Sequence, residues 1–518
     1  MNRIVVPLAL FLFLPLFGLA APFLFPGNDQ LATSTLSHLW NFVLGGYIAS
    51  TLVLILGVGV GVFILGVGNA WIIASYDFPG KKIFEWALIL PLAVPTYVMA
   101  YLFVDLLQFS GPIQSALRDL LGMESLWFFP DPRSLGGAIW SFSFCLFPYV
   151  YLITRTAFLE RSGRLIEVSE TLGYSPLQGF IKLVLPMARP AIFAGMALAL
   201  MEVLADFGAV SYFGVQTFAT GIFKAWLSFG DRVVAVQLSL GLLSLVLLIF
   251  FIEQSSRSKL RFATTSRGRP LAKTLQSQNA LFAFTFCGVT LLCGFLLPAF
   301  ALIQLLVKQG LTIDIRYLDW LSNSLSVSVL TAVISVALAV LFAYSVRINS
   351  RFSWVNRLLS FGYALPGAVL AIGILSFLEI FHLAWWMSAS MLVLVYAYLV
   401  RFLSSSLQSV EAGLARITPS MDASAALLGL SRVQILKRVH VPLLKRSLIT
   451  AGLFVFVDVM KELPATLLLR PFNFDTLAVA TYQLAADERL AELALPSLTI
   501  VLVGLFPVLL LSRVISKP

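Results

Sequence analysis

The chain has 518 residues, 59% of them hydrophobic and only 12% charged, with a formal net charge of +10. Soluble domains carry about 25% charged residues, so a water-soluble globule is excluded. The basic excess alone would admit a nucleic-acid partner, but the placement of those bases gives them another role.

Apolar runs close to the ~20 residues that cross a bilayer recur along the whole length. They predict an all-α integral membrane protein with about 12 transmembrane helices, near 5–26, 44–75, 83–108, 135–156, 188–210, 234–252, 279–305, 322–346, 356–380, 384–404, 446–470 and 492–513. The first run follows Arg3 and imitates a cleavable signal. It continues through Phe23-Leu24-Phe25, beyond the usual 7–15-residue apolar core of a signal, and is expected to remain as a span. Most of the 35 Lys and Arg fall at the two termini and in the loops before spans 3, 5, 7, 9 and 11. Cytoplasmic loops carry such an excess, so both termini are expected in the cytoplasm and the bases need no nucleic acid to explain them.

After the fourth span, Glu167-Val-Ser-Glu-Thr-Leu-Gly173 runs on to Leu183-Val-Leu-Pro186. Gly173 can close a helix in the left-handed conformation. Ser175-Pro176-Leu-Gln178 then restarts one, with Ser as N-cap, Pro at the first helical position and Gln three after the cap. Pro186 opens the next span, where a missing N–H costs little. Further along, Glu202 and Asp206 are four apart and share one helix face. They lie 16 and 20 residues past Pro186, roughly 24–30 Å along a helix and hence toward its outer end.

Glu253 to Asn279 breaks the apolar pattern with Arg257, Lys259, Arg261, Arg267, Arg269 and Lys273, the composition of a polar linker. The motifs then recur 256 residues on. Ala423-Ser-Ala-Ala-Leu-Leu-Gly429 leads to Val439-His-Val-Pro442, with Ser431 and Gln434 as the second box and Asp458 and Glu462 as the second acidic pair. Nearer the N-terminus the offset is 271, matching Pro95 to Pro366, because the first half carries extra residues in 108–134. The chain therefore divides into a first repeat 1–253, a cytoplasmic linker 254–279 and a second repeat 280–518. With six spans each, the repeats are parallel, related by an axis along the membrane normal.

Two matched, capped, rigid loops on one side of a membrane are what a docking element for an outside motor requires. Carboxylates within spans are expensive and usually face a wet interior. Hard cations such as Fe(III) prefer carboxylate oxygen, so Glu202, Asp206, Asp458 and Glu462 are candidates to line a cation path by transient contact. The alternative is structural: acids that cap or cross-link helices, with Lys461 beside both members of the second pair. Cys145, Cys287 and Cys293, and His38, His382 and His440, show no metal-ligand spacing. No phosphate loop of the form G-x-x-x-x-G-K-[ST] occurs, so ATP would be used by a partner.

The Glu-Ala-Ala…Gly…Ile-x-Leu-Pro signature of permease subunits of binding-protein-dependent ABC importers falls here on Glu167, Gly173, Leu185 and Pro186, with Val168 and Ser169 at the alanines. In the second half Gly429 and Pro442 match, while Ala423 stands at the acidic position and Asp422 one residue earlier. The chain resembles that family. Glu202-Val-Leu-Ala-Asp-Phe-Gly208 and Asp458-Val-Met-Lys-Glu-Leu-Pro-Ala-Thr466 look like the fused ferric-iron permeases within it. The resemblance implies a non-enzymatic multi-pass protein of the bacterial inner membrane. It implies a cytoplasmic ATPase homodimer seated on the two loops, a periplasmic solute-binding protein outside, and no cofactor on this chain. Fused thiamine permeases share the architecture, and a gradient-driven secondary transporter is the rival of another class.

Overall fold

A computed structural model describes residues 2–24, 43–258, 273–310, 313–381 and 390–515. Their regular structure is helical apart from one two-stranded parallel pairing of Tyr76–Asp77 with Lys273–Thr274. Among the described residues eight helices are long and apolar enough to cross a membrane, or ten if each of two bent pairs counts as one span. The apolar runs predict twelve. The first expected span forms as two 11-residue helices, Asn2–Leu12 and Leu14–Leu24. The helix Val441–Met460 is not among the eight and carries Lys445, Arg446 and Asp458.

The two bent pairs turn by 97° (Lys81–Ala93 with Thr96–Leu121) and 110° (Ser350–Ala364 with Gly367–Ile380). Pro95 and Pro366 sit at these corners in the same extended conformation, ψ 145° and 138°. A proline disfavours helical backbone at the residue before it, and Val94 and Leu365 are extended with ψ 120° each. Matching backbone at two positions 271 apart is the structural imprint of the repeat.

The residues group into two compact units that do not follow chain order. One comprises 1–36, 222–240 and 312–483; the other comprises 37–221, 241–311 and 484–518. Compactness and sequence repetition are separate properties, and each unit draws on both halves of the chain.

In the first unit the helices Ile315–Ile348, Met391–Leu414 and Val441–Met460 pack together. Ser335 and Ser406 hydrogen-bond across them at 2.7 Å, fully buried. Without bulk water or strong hydrophobic drive between helices in lipid, small residues that allow close approach hold such contacts. The N-terminal helices lie against Gly367–Ile380, where Gly18 and Gly373 bring two backbones so close that a Cβ on either would strike a carbonyl of the facing segment. Tyr396 Oη donates to Phe11 O at 2.6 Å, and Val5, Ala9, Leu12 and Leu19 are buried. The N-terminal run is thus packed into this unit.

In the second unit Leu44–Ser75 packs along Leu135–Thr171 through Gly57, Gly61 and Gly66, which face Ile139, Ser143 and Val150. Its other face leaves Leu52, Leu56, Val60 and Ile64 exposed at every fourth position, an apolar stripe suited to lipid. Leu297–Gln309 packs on Leu490–Ile515, and Asn69 Nδ2 donates to Thr290 Oγ1 at 3.2 Å.

Candidate coupling loops and acidic helix caps

The first loop follows the long helix Leu135–Thr171, whose last turns include Glu167; the side chain of Glu167 lies outside the described residues. Gly173 then adopts φ +73°. The expected capping box forms: Ser175 N donates to Gln178 Oε1 at 3.2 Å and Gln178 N to Ser175 Oγ at 3.4 Å. The second loop repeats this after Pro419–Leu427, with Gly429 at φ +79° and Ser431 and Gln434 exchanging bonds of 2.8 and 3.4 Å. A Cβ on either glycine would meet nothing within 4 Å, so only the backbone conformation calls for glycine there.

Between each box and the following proline the helix widens. Phe180–Val184 and Leu436–His440 are single π turns, closed by Leu185 N to Phe180 O and by Val441 N to Leu436 O. Pro186 and Pro442 sit in the first turn of the helices Leu185–Ala205 and Val441–Met460, as expected. A proline ring crowds the carbonyl four residues before it and offers no N–H, which a widened turn accommodates. The π turns are not expected from the sequence; their one signal is the fixed distance from box to proline in both copies.

Each loop presents exposed leucine beside its turn. Leu172 and Leu177 flank Gly173; Leu427 and Leu428, 89% and 81% exposed, precede Gly429. Large apolar side chains left exposed at a turn mark a candidate protein-binding surface.

The loops are anchored differently. Phe180 packs with Trp71 at 4.6 Å between ring centres, and Phe158 joins at 5.7 Å from Trp71. In the second half a polar cluster replaces these rings. Asp422 accepts from Arg347 Nε at 2.8 Å and lies 2.6 Å from His440 Nε2. Arg347 also donates to Leu414 O and Ile417 O, and Tyr344 Oη to Arg432 O at 2.7 Å. Burial alone would raise the Asp422 carboxyl, but the hydrogen bonds and charges of Arg347 and His440 hold it below the usual carboxylate range. The acid of the second loop is therefore turned onto its own chain. His440, which reads as isolated in the sequence, is fully buried as its partner. Arg347 reads there only as a base that orients a span.

Asp206 and Glu462 cap short helices. Leu185–Ala205 ends at Asp206, whose Oδ1 accepts from Ala209 N at 2.8 Å and Val210 N at 3.4 Å, starting the helix Gly208–Tyr212. Thr96 Oγ1 donates to the other oxygen. Glu462 accepts from Ala465 N at 2.9 Å, Thr466 N at 3.0 Å and Thr466 Oγ1 at 2.5 Å, starting Pro464–Leu469. Arg401 Nη1 completes its shell at 2.9 Å. One turn earlier, Glu202 is half-buried, and Asp458 pairs with Lys461 at 3.1 Å. Each acidic pair thus places one carboxylate on the helix and the other at its break. Among the described residues no group of three or more His, Cys, Asp or Glu side chains gathers in a way that could hold a metal ion.

Residues 64–261 match the family described as the binding-protein-dependent transport system inner membrane component. The chain is 30% identical over 482 residues to the Fe(3+)-transport system permease protein FbpB 2 of Haemophilus influenzae, covering 91% of this chain and 90% of that protein. It is 31% identical over 150 residues to the sulfate transport system permease protein CysT of Salmonella typhimurium, or 29% of this chain and 51% of that one. It is 29% identical over 174 residues to the molybdenum transport system permease protein ModB of Escherichia coli, or 34% of this chain and 71% of that one. No solved structure matches the chain.

Proposed function

The chain belongs to the inner-membrane permease components of binding-protein-dependent transport systems, and from that premise we propose that it carries ferric iron from a periplasmic binding protein to the cytoplasm. The work comes from ATP hydrolysed on a partner ATPase, a homodimer, seated on the loops around Gly173 and Gly429. This chain binds no cofactor and performs no bond chemistry. The observation that carries the reading is the pair of left-handed glycines 256 apart, each with exposed leucine before it and a closed capping box after it. A stiff turn transmits displacement, and two of them match a two-fold motor.

In this reading the repeats 1–253 and 280–518, joined by the linker 254–279, rearrange in alternating access, with both termini in the cytoplasm. Residues 259–272 of the linker lie outside the described residues. The contacts to the ATPase run through Glu167, Gly173, Ser175 and Pro186 in one loop and Asp422, Gly429, Ser431 and Pro442 in the other. Glu202, Asp206, Asp458 and Glu462 border the path; Glu202 and Asp458 offer the hard carboxylate oxygen that suits Fe(III) in transit, while the buried Asp206 and Glu462 hold the helix breaks beside them. Support for iron comes from the similarity to an Fe(3+) permease over nearly the full length of both chains.

The test is uptake of radiolabelled ferric iron into proteoliposomes holding the permease, its ATPase and the loaded binding protein. ATP-dependent iron uptake that excess thiamine, sulfate or molybdate leaves unchanged supports the proposal. Uptake that follows an ion gradient without ATP would refute the motor, and competition by thiamine would refute the cargo.

A further inference from the structure

The two acidic caps are built by different chemistry at equivalent positions. Counting from Pro95 and Pro366, Thr96 corresponds to Gly367; counting from the two loops, Cys145 corresponds to Arg401 and Asp206 to Glu462. In one copy a short acid takes a hydroxyl from Thr96, and Cys145 turns away to Val94 O at 3.4 Å. In the other a longer acid takes a guanidinium from Arg401, and position 367 has no side chain. A Cβ on Gly367 would lie 2.6 Å from Glu462 Oε1, 2.9 Å from Arg401 Nη1 and 3.1 Å from Ala465 N. The glycine is what makes room for the ion pair. Arg401 and Glu462 are 10% and 1% exposed at their side chains, so the pair is buried.

We propose that Gly367, Arg401 and Glu462 form one positioning unit, interchangeable as a set with Thr96, Cys145 and Asp206. Each set holds a short helix at a helix break in the attitude that transport requires. Arg401 acts through Glu462 on Pro464–Leu469; Thr96 acts through Asp206 on Gly208–Tyr212. The two sets differ in that one carries a compensating cation and the other a neutral donor. Removing one member of a buried pair leaves a charge without the partner built for it, whereas exchanging the whole set restores an acid held by a hydroxyl and backbone N–H groups, as in the other copy. The inference rests on the family assignment and on the two caps, and not on which cargo crosses.

The experiment uses the assembled permease–ATPase complex and three variants: Arg401→Cys, Gly367→Thr, and the triple Gly367→Thr/Arg401→Cys/Glu462→Asp. ATP hydrolysis stimulated by the iron-loaded binding protein, per assembled complex, is expected to fall about tenfold in each single variant, because a buried charge loses its partner or its space. The triple variant is expected to return to within about threefold of the original, because its shorter acid gains the hydroxyl partner that Asp206 has in Thr96. Wild-type turnover in Arg401→Cys, or a triple variant no better than Arg401→Cys, overturns the proposal. A purely architectural role would lower the amount of complex and its Tm while leaving turnover per complex unchanged, and that result also overturns it. If Arg401→Cys does not assemble, assembly of the triple variant supports the proposal and its failure refutes it. A parent complex that ignores the iron-loaded protein removes the cargo reading alone; basal ATP hydrolysis per assembled complex in the same variants then decides this one.

Discussion

Asn356 donates to Glu411 at 2.5 Å, at the two positions that correspond by the repeat to Glu85 and Arg155, which form an ion pair of their own. Both pairs tie the short helix before a corner (Lys81–Ala87 or Ser353–Leu359) to the long helix behind it. The acid has moved from one partner to the other. The contact is kept while its polarity is reversed.

Arg155 is nearly buried, with a side-chain exposure of 7%. Arg155→Ala is expected to destabilise the complex by about 3 kcal/mol, because Glu85 is left without its cation. The double variant Glu85→Asn/Arg155→Glu installs the arrangement of the other half and is expected to recover most of that loss. A Tm series in detergent checks it, and a double variant that melts with or below Arg155→Ala contradicts the equivalence.

Gly173 and Gly429 sit in left-handed backbone with open space where a Cβ would go. The effect of substitution there is conformational, about 1–2 kcal/mol for an ordinary residue and less for Asn. Gly429→Val is expected to cut uptake per ATP hydrolysed severalfold, and Gly429→Asn much less. Equal coupling in the two variants would show that the turn need not be rigid.

The Asp422 carboxyl is held below its ordinary range by Arg347 and His440. A depressed acid contributes stability that is fully present above the unfolded value, about 3.9 for Asp, and disappears as pH falls through the folded one. Amide exchange in Pro419–Leu427 and Arg432–Ile435 is therefore expected to accelerate as pH drops below about 4. Asp422→Asn is expected to exchange fast at neutral pH and to lose that dependence. The loop around Gly173, anchored by Trp71, Phe158 and Phe180, serves as the internal control.

Gly18 touches Gly373 backbone to backbone. Gly18→Leu is expected to prise the N-terminal helices from Gly367–Ile380, seen as new protease cleavage near the N-terminus and a lower Tm. A variant as resistant as the parent would show that this contact is dispensable.

The capping boxes at Ser175 and Ser431 and the prolines that follow them are legible in the sequence because their partners lie close by along the chain. Helix face and repeat single out Asp206 and Glu462 as a matched pair, and the alternative of a capping role is visible there too. Their partners are not. Thr96 is 110 residues from Asp206, and Arg401 is 61 from Glu462. No periodicity links such distant positions, and only packing brings them together. The same holds for Arg347, whose place at the end of a span accounts for it so well by charge placement that nothing prompts a search for Asp422, 75 residues on. The bends at Pro95 and Pro366 are hidden because uninterrupted apolar residues read as one straight span.

Each compact unit takes its first or last helices from the opposite half of the polypeptide. A fragment ending in the linker would lack the segments 312–483 that complete the fold around its own N-terminal helices, and the other fragment would lack 37–221. Neither is a self-sufficient folding body. Expressed as two separate polypeptides, they would be mutually dependent, each stabilised only when its counterpart is made in the same cell.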